Sequence, residues 1–392
     1  MKSRTSGGSA AVKSFSGENL NYTAFPLGGI GAGMVCFEGT GKLSHLSIWN
    51  KPEIANEPYT FAAIHVKGKD TATRIIEGPV PRRKIMGWPD SGNGLGNKTY
   101  GFPRFEKCSF SSKFPFAETK LSDKDIPLDA TITAWSPFVP GDSDSSSLPV
   151  AALEYELSNR TGRKVEAVFS FNSLNFMDRD KTGVRVRRNG RGFIFEQKPS
   201  DEKKWAEGAF SVSTDEKDAK VNTVWFRGGW FDNQTVIWKE ISEGSCRTGK
   251  DYPENEKQSP GASIAVPFSL KPGQSKTIRI MLSWFVPRSN IRLGGDPEKK
   301  ENSCSGPDCC CSGKEDESFY RPWYTSKFKG MEAVAAFWGK NYMKLRDESE
   351  AFMESFYDSN LPAEIIDAVS ANLTILKSPT VLRQHDGRLW GW

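Results

Sequence analysis

The sequence predicts a mainly β protein in which a large antiparallel β-sandwich precedes two helices. Apolar residues alternate with polar or small ones at 153–171 and again at 264–282, and their spacing changes to threes and fours after residue 319. Gly and Pro occur between these stretches in turn-like pairs, as in all-β domains with many turns.

The first alternating stretch predicts a β-hairpin with one buried face. Leu153, Tyr155 and Leu157 alternate with two glutamates, and a turn-like Asn-Arg-Thr-Gly sequence at 159–162 leads into a second alternating run at 165–171. The apolar residues are therefore expected in the core and the glutamates on the other face.

The second stretch predicts two strands joined by a tight turn. Pro and Gly occupy the central positions of a Lys-Pro-Gly-Gln sequence at 271–274, as in a type II turn. Pro267 lies inside the first strand, which predicts a sheet edge or a bulge there because proline has no N–H to donate.

Two helices are expected after the strands. Apolar residues recur on one face from about 327 to 357, which predicts a long helix. A second helix is predicted to begin at Pro362 and to end at Ser378-Pro379. Its predicted apolar face consists of Leu361, Ile365, Ile366, Val369, Leu373 and Leu376.

These elements divide the chain into five segments. A disordered N-terminus (1–17) precedes the β-sandwich domain (18–290), and a loop rich in Cys, Gly and Pro follows (291–325). A linker helix (326–358) then leads into the start of a helical domain (359–392).

Charge and hydropathy argue against two classes of partner. The net charge of +5 arises from interspersed residues, whereas nucleic-acid binders concentrate Lys and Arg on one face. The Arg-rich run at 185–191 spans a Gly-containing turn and predicts a solvated hairpin. The sequence contains neither a run of roughly 20 apolar residues nor a signal-peptide h-region. As written, it is therefore expected to be cytoplasmic, without a transmembrane segment.

No cofactor or metal is predicted. The glycine run at 28–33 resembles a dinucleotide loop, but a strand-like sequence follows it where a helix is needed, which predicts a tight hairpin. Cys304, Cys309, Cys310 and Cys311 have no zinc-type spacing and no nearby His, so we expect an oxidisable loop insertion.

The candidate site residues lie in the C-terminal segment. His45 and His65 have apolar, strand-like neighbours, but His385 lies in a dense polar and aromatic sequence. Arg offers fixed donors to hydroxyl groups and Trp a stacking face. The candidate substrate-binding residues are His385, Asp386, Arg388, Trp390 and Trp392. The same segment suits a helix–helix connection with a tight Asp-Gly turn equally well.

Two parts of the chain resemble glycoside hydrolase family 116, which includes the non-lysosomal glucosylceramidase and bacterial β-glucosidases. The sequences FPLGGIGAG at 25–33 and LSIWNKP at 46–52 resemble the opening of the family. The segment 370–392, with SANL, KSPT and DGRLWGW, resembles the start of the family's catalytic domain.

The resemblance implies an N-terminal β-sandwich, the first helix of an (α/α)6 barrel, and retaining hydrolysis of β-glucosides or related β-glycosides, glucosylceramide-like ones included. Such hydrolysis needs a nucleophilic carboxylate and a carboxylic acid. The resemblance places both further along the barrel than Trp392, so we assign no catalytic residue here and expect the chain alone to be inactive. The implied partners are a glycoside substrate and the rest of the barrel, in the same or a separate chain.

The acidic pairs within the chain do not replace those carboxylates. Glu154 with Glu156, and Asp123 with Asp125, are each expected to face water, where nothing raises one pKa above the other.

Two other functions stay open. One is a β-sandwich module that binds carbohydrate without cleaving it, and the other is a structural sandwich that recruits a protein through its terminal helices. A downstream reading frame that encodes barrel helices would favour the hydrolase over both.

Overall fold

Antiparallel sheets dominate the computed structural model. It describes residues 13–53, 56–68, 71–81, 84, 99–229, 232–292 and 319–391. The largest sheet has nine strands, in the spatial order β1 (Ser14–Ser16), β7 (Lys107–Lys113), β8 (Phe116–Ser122), β9 (Leu128–Trp135), β10 (Val150–Asn159), β17 (Ser275–Phe285), β14 (Gly208–Ser213), β13 (Gly192–Gln197) and β12 (Val184–Asn189).

Four smaller sheets accompany it. The five-stranded sheet has the order β15 (Lys220–Asn222), β16 (Gly261–Leu270), β11 (Val165–Leu174), β5 (Thr60–Val66) and β6 (Ala72–Ile75). A three-stranded sheet contains β2 (Ala24–Leu27), β3 (Met34–Glu38) and β4 (Leu43–Ser47). Two strand pairs complete the set: β18 (Ser289–Arg292) with β19 (Phe319–Tyr320), and β20 (Val381–Arg383) with β21 (Leu389–Gly391).

The longest helix of the described residues follows the strands of the sandwich. Among the described residues, the α-helices include α1 (Asp232–Ser242), α2 (Tyr324–Lys327), α3 (Met331–Tyr357) and α4 (Ala363–Leu373), and the 3-10 helices include Gly17–Tyr22, Ser145–Ser147, Lys204–Ala206 and Thr374–Lys377. None of the helices in the described ranges is both long and apolar enough to cross a membrane.

The nine- and five-stranded sheets pack face to face as a β-sandwich. Their inner faces contribute to one cluster of buried apolar residues. Tyr155 on β10 and Phe169 on β11 lie 5.0 Å apart, ring centroid to ring centroid, across this interface. The period-two pattern therefore identifies the residues that fill the core.

The predicted hairpin at 153–171 is wrong in its pairing, although both strands are present. β10 belongs to the nine-stranded sheet and β11 to the five-stranded one, so the chain arches from one sheet to the other. The Asn159 side chain holds this arch, because its Nδ2 donates to the Arg163 carbonyl (2.7 Å) and its Oδ1 accepts from the Thr161 N–H (2.9 Å).

The turn between β16 and β17 also joins the two sheets. The Gln274 N–H donates to the Lys271 carbonyl (3.1 Å) and Gly273 has a φ of 69°, as a type II turn requires. The sheet edge expected at Pro267 is confirmed, because β15 pairs with only residues 263–265 of β16. The predicted Arg-rich hairpin is also present, as β12 and β13.

The predicted long helix is present as α3, which lies across the outer face of the nine-stranded sheet. Its buried stripe includes Met331, Val334 and Trp338 and packs in one cluster with outward-facing residues of the sheet, among them Trp135 and Phe116. The outer face of the sheet is therefore partly covered by the C-terminal half of the chain.

Because α3 covers this face of the sheet, the prediction that Glu154 faces water is wrong. Glu154 lies beneath α3 with 8% of its surface exposed, accepts from the Tyr342 hydroxyl (2.8 Å) and pairs with Arg346 (2.9 Å). Asp123 is also buried, 3.1 Å from the Arg74 Nε. Glu154 and Asp123 are thus each paired with an arginine, and such pairing offsets the cost of burying a charge.

Their sequence neighbours Glu156 and Asp125 are exposed, as expected.

The two ends of the sandwich domain are described only in part. Within the N-terminal segment predicted to be disordered, Ser14–Ser16 instead form β1, which pairs with β7. Residues 1–12 lie outside the described residues, as do 293–318, which contain the four clustered cysteines. The domain boundaries remain predictions.

The glycine run at 28–33 forms the predicted tight loop between β2 and β3, and it lies against the C-terminal segment. Gly31 has a φ of 68°, and a Cβ at this position would lie 2.1 Å from the backbone nitrogen of Arg383. The Tyr320 hydroxyl donates to the Arg383 carbonyl (2.7 Å) beside the same loop. A residue with a side chain cannot occupy this position without moving the C-terminal segment.

A buried lysine forms a second anchor for the C-terminal segment. Lys377 is fully buried and its Nζ donates to the Ser136 carbonyl (2.9 Å), the Ser136 Oγ (2.6 Å) and the Pro137 carbonyl (3.3 Å). The same Ser136 Oγ accepts from the Gly28 N–H (3.0 Å). Burial lowers the pKa of Lys377 well below its usual value.

Substitution of Gly31 by Ala is expected to destabilise the fold by more than about 2 kcal/mol, because the positive φ alone costs an L-residue about 1–2 kcal/mol and the new Cβ meets Arg383. Gly273→Ala is the matched control, since Gly273 has a φ of 69° and nothing within 4 Å of its Cβ position. Chemical denaturation of both variants measures the difference. Equal losses would show that the close approach contributes nothing.

Lys377 is expected to make the unfolding free energy rise with pH. The unfolded chain binds this proton up to a pKa near 10.5, whereas the folded chain releases it at lower pH. Between these two pKa values the wild-type free energy should rise by up to about 1.4 kcal/mol per pH unit relative to Lys377→Met. Denaturation across this pH range measures the slope, with exposed Lys271→Met as the control. Parallel slopes for wild type and Lys377→Met would contradict the prediction.

Candidate functional site

The candidate residues lie on a β-hairpin formed by β20 and β21. Arg383 pairs with Leu389, and the turn closes through a bond from the Gly387 N–H to the Gln384 carbonyl (2.8 Å). Gly387 has a φ of 92°, which favours glycine. The expected tight Asp-Gly turn is therefore present, but it joins two strands where a helix–helix connection was the alternative.

Asp386 and Arg388 form an exposed pair at the tip of this hairpin. The Arg388 Nε lies 2.7 Å from the Asp386 carboxylate, whose other oxygen accepts from the Arg388 N–H (3.1 Å). This backbone bond, and then the guanidinium, lower the pKa of Asp386. Asp386 is thus ionised at neutral pH, so it can accept hydrogen bonds from hydroxyl groups but cannot act as a general acid.

The other candidates surround this pair. The Nδ1 of the exposed His385 lies 3.1 Å from the Thr325 Oγ1. Trp390, on β21, is 46% exposed and follows Arg388 by two positions in the chain. Trp392 lies outside the described residues. The hairpin thus carries exposed hydrogen-bonding groups and an exposed aromatic ring, two kinds of group that can bind a sugar ring.

The base of the hairpin is buried and is held by Arg383, which the sequence analysis did not identify as a candidate residue. The Arg383 guanidinium lies 2.8 Å from Asp144, which is 239 positions away in the chain, and stacks on the Trp323 ring. No local pattern could have revealed this contact, because neither residue belongs to a recognisable motif.

Large apolar side chains are exposed around α4 and the hairpin. Ile365 is 47% exposed and Val369 is 43% exposed, whereas Ile366 is buried. The predicted apolar face of α4 is thus only partly covered. The exposed large apolar residues in this region are Leu361, Ile365, Val369, Ile375, Leu389 and Trp390.

The described carboxyl groups with a raised pKa do not form a catalytic pair. Burial raises the pKa of Glu207, near Arg288, and of Glu240, near Arg247. Glu207 adjoins β14 of the nine-stranded sheet, whereas Glu240 lies on α1, which packs on the five-stranded sheet. Within the described ranges, no group of three or more His, Cys, Asp or Glu could hold a metal ion.

The chain has some similarity to several longer proteins of solved structure. They include a GH36 alpha-galactosidase from Geobacillus stearothermophilus (12% identity, TM-score 0.30, covering 69% of this chain and 41% of that one). A GH92 alpha-mannosidase from Bacteroides thetaiotaomicron has 7% identity and a TM-score of 0.25, and the match covers 71% of this chain and 30% of the mannosidase. This chain spans less than half the length of each, and similarity at this level does not establish a shared fold. No curated protein sequence matches the chain.

A family model gives a direct match. The model described as "beta-glucosidase 2, glycosyl-hydrolase family 116 N-term" matches residues 24–345. The match begins at the first residue of β2, includes both sheets of the sandwich except for β1, and ends within α3. The resemblance in the opening segments at 25–33 and 46–52 is therefore confirmed. The chain belongs to glycosyl hydrolase family 116 and contains the N-terminal domain of that family.

Proposed function

We propose that the chain is the N-terminal part of a retaining glycoside hydrolase that acts on β-glucosides or related β-glycosides, glucosylceramide-like ones included. The observation that carries the proposal is the family match over 24–345. In this proposal, residues 359–392 begin an (α/α)6 barrel, and the two catalytic carboxylates lie beyond Trp392.

The exposed apolar residues around α4 support this assignment. Burial of one aliphatic side chain stabilises a fold by ~1.5–3 kcal/mol, and Ile365 and Val369 forgo much of this in the present chain. Further barrel helices, in the same or a separate chain, would cover them.

The acidic residues of the described chain support the assignment of catalysis elsewhere. Retaining hydrolysis requires two carboxyl groups about 5–5.5 Å apart on either side of the scissile bond. Glu154 and Asp123 are engaged by arginines inside the fold, and Asp386 is held ionised at the surface. Substrate binding, by contrast, suits the exposed hairpin tip.

A sandwich module that binds carbohydrate without cleaving it is the second candidate. The exposed Arg388 and Trp390 favour it, since both are available in this chain without a barrel. Calorimetric titration of the 392-residue chain with gluco-oligosaccharides distinguishes the two, because only the binding module should bind sugar on its own.

The 392-residue chain is expected to show no turnover of an aryl β-glucoside, whereas a chain extended through a complete barrel should hydrolyse it with retention of anomeric configuration. Colorimetric assay and NMR of the first-formed sugar measure the two properties. Turnover by the short chain would place the carboxylates within it and contradict the proposal.

Arg388→Ala and Trp390→Ala, in the extended chain, are each expected to lower kcat/KM by about 10-fold or more, because a hydrogen bond from a charged group contributes roughly 1.5–3 kcal/mol and an aromatic face a similar amount. Steady-state kinetics and a thermal melt of each variant check this. The exposed Arg191→Ala, on the turn between β12 and β13, is the control. Values of kcat/KM equal to that of the Arg191→Ala control would show that neither Arg388 nor Trp390 contacts the substrate.

A further inference from the structure

Arg383 lies at a point where four segments of the chain meet. Its backbone nitrogen faces Gly31 of the glycine loop, and its carbonyl accepts from the Trp323 N–H (2.8 Å) and the Tyr320 hydroxyl (2.7 Å). Residue 383 is therefore fixed through its main chain to the sandwich and to the segment that leads into α2.

The side chain of Arg383 adds a second set of contacts. Its guanidinium carbon lies 4.0 Å from the centroid of the Trp323 ring. Nη1 donates to the Ser143 carbonyl (3.1 Å) and Nη2 to the Asp144 carboxylate (2.8 Å). Stacking and two fixed donors together require a planar guanidinium, which lysine does not provide.

The loop that receives Arg383 is itself held in place. The Asp142 carboxylate accepts from the N–H groups of Asp144 and Ser145 (3.1 and 3.0 Å). The Ser146 carbonyl in turn accepts from the N–H of Ile30, in the glycine loop (2.7 Å). The guanidinium is thus bound by a surface of fixed shape.

The hairpin above Arg383 has little support of its own. Its strands are three residues long, and two-stranded hairpins are at best marginally stable alone. Residues 388–391 are exposed. A Cβ at Gly387, in the turn, would lie 3.9 Å from the Arg383 Nη2, so the guanidinium lies beneath the turn.

We propose that Arg383 is a positioning residue, which fixes the orientation of the hairpin that carries Arg388 and Trp390 by clamping its base to the Ser143–Asp144 loop and the Trp323 ring. Recognition of substrate by the hairpin then depends on the sandwich. The consequence for catalysis rests on the proposed function, whereas the clamp itself does not.

Hydrogen exchange of the 392-residue chain tests the clamp without any activity. Arg383→Met should accelerate exchange in peptides that cover 384–391 and leave β10 and β17 unchanged, and Arg383→Lys should give an intermediate rate. Asp144→Asn removes one contact of the clamp with less risk to folding, because the Asp144 side chain is half exposed. This variant should also accelerate hydrogen exchange in the hairpin. Arg191→Met is the control. Unchanged hairpin exchange in both Arg383→Met and Asp144→Asn would overturn the clamp.

Kinetics of the extended enzyme test the positioning role. Arg383→Met should lower kcat/KM by up to about 100-fold, the loss that misplaced substrate contacts can cause. If Arg383 acts through the hairpin, this loss should largely disappear when Arg388 and Trp390 are already alanine. Additive losses would overturn the role. An extended chain with no glycosidase activity would instead refute the proposed function, and the exchange result would still decide the clamp.

Discussion

The close approach of the glycine loop to residue 383 is the constraint on which the C-terminal half of the structure depends. At Gly31 two backbone segments lie so close that there is no room for a Cβ between them. This contact joins the start of the sandwich domain to the end of the described chain. Tyr320 and Lys377 attach the same C-terminal segment through hydrogen bonds to main-chain carbonyls. Because these contacts are made to the backbone, they fix position as well as adding stability.

Two ion pairs, each with a buried member, attach the C-terminal half of the chain to the sandwich domain. Glu154 is buried under α3 against Arg346, and Arg383 is buried against Asp144, so in each case a charge leaves water only with a partner. Lys377 is different, because its partners are two carbonyls and a hydroxyl with no carboxylate among them. The sandwich thus binds its C-terminal extension through polar contacts as well as through the apolar stripe of α3.

The sequence identified the elements but not their neighbours. Period-two alternation located both strands at 153–171, yet it carries no information on which sheet a strand joins, so the predicted hairpin was an arch. Alternation likewise showed that Glu154 leaves the core face, but it could not show that α3 covers the opposite face. Of the candidate site, Asp386 and Arg388 were singled out from the polar and aromatic composition of their segment, but their ion pair was not predicted. Arg383 was missed because its partner is distant in the chain.

The two arches share one side chain. The Asn159 amide nitrogen donates to the Arg163 carbonyl in the first arch and to the Leu270 and Lys271 carbonyls at the second (2.7, 3.2 and 3.1 Å). Each arch passes the chain from one sheet to the other, so the two strands that it joins belong to different sheets. Because of the arches, β10 pairs with β17 and β11 pairs with β16, and such partners distant in sequence slow folding because a long loop must close first. A division of the gene between residues 175 and 260 would therefore separate β10 from β17 and β11 from β16, so neither product could form the complete nine-stranded or the complete five-stranded sheet.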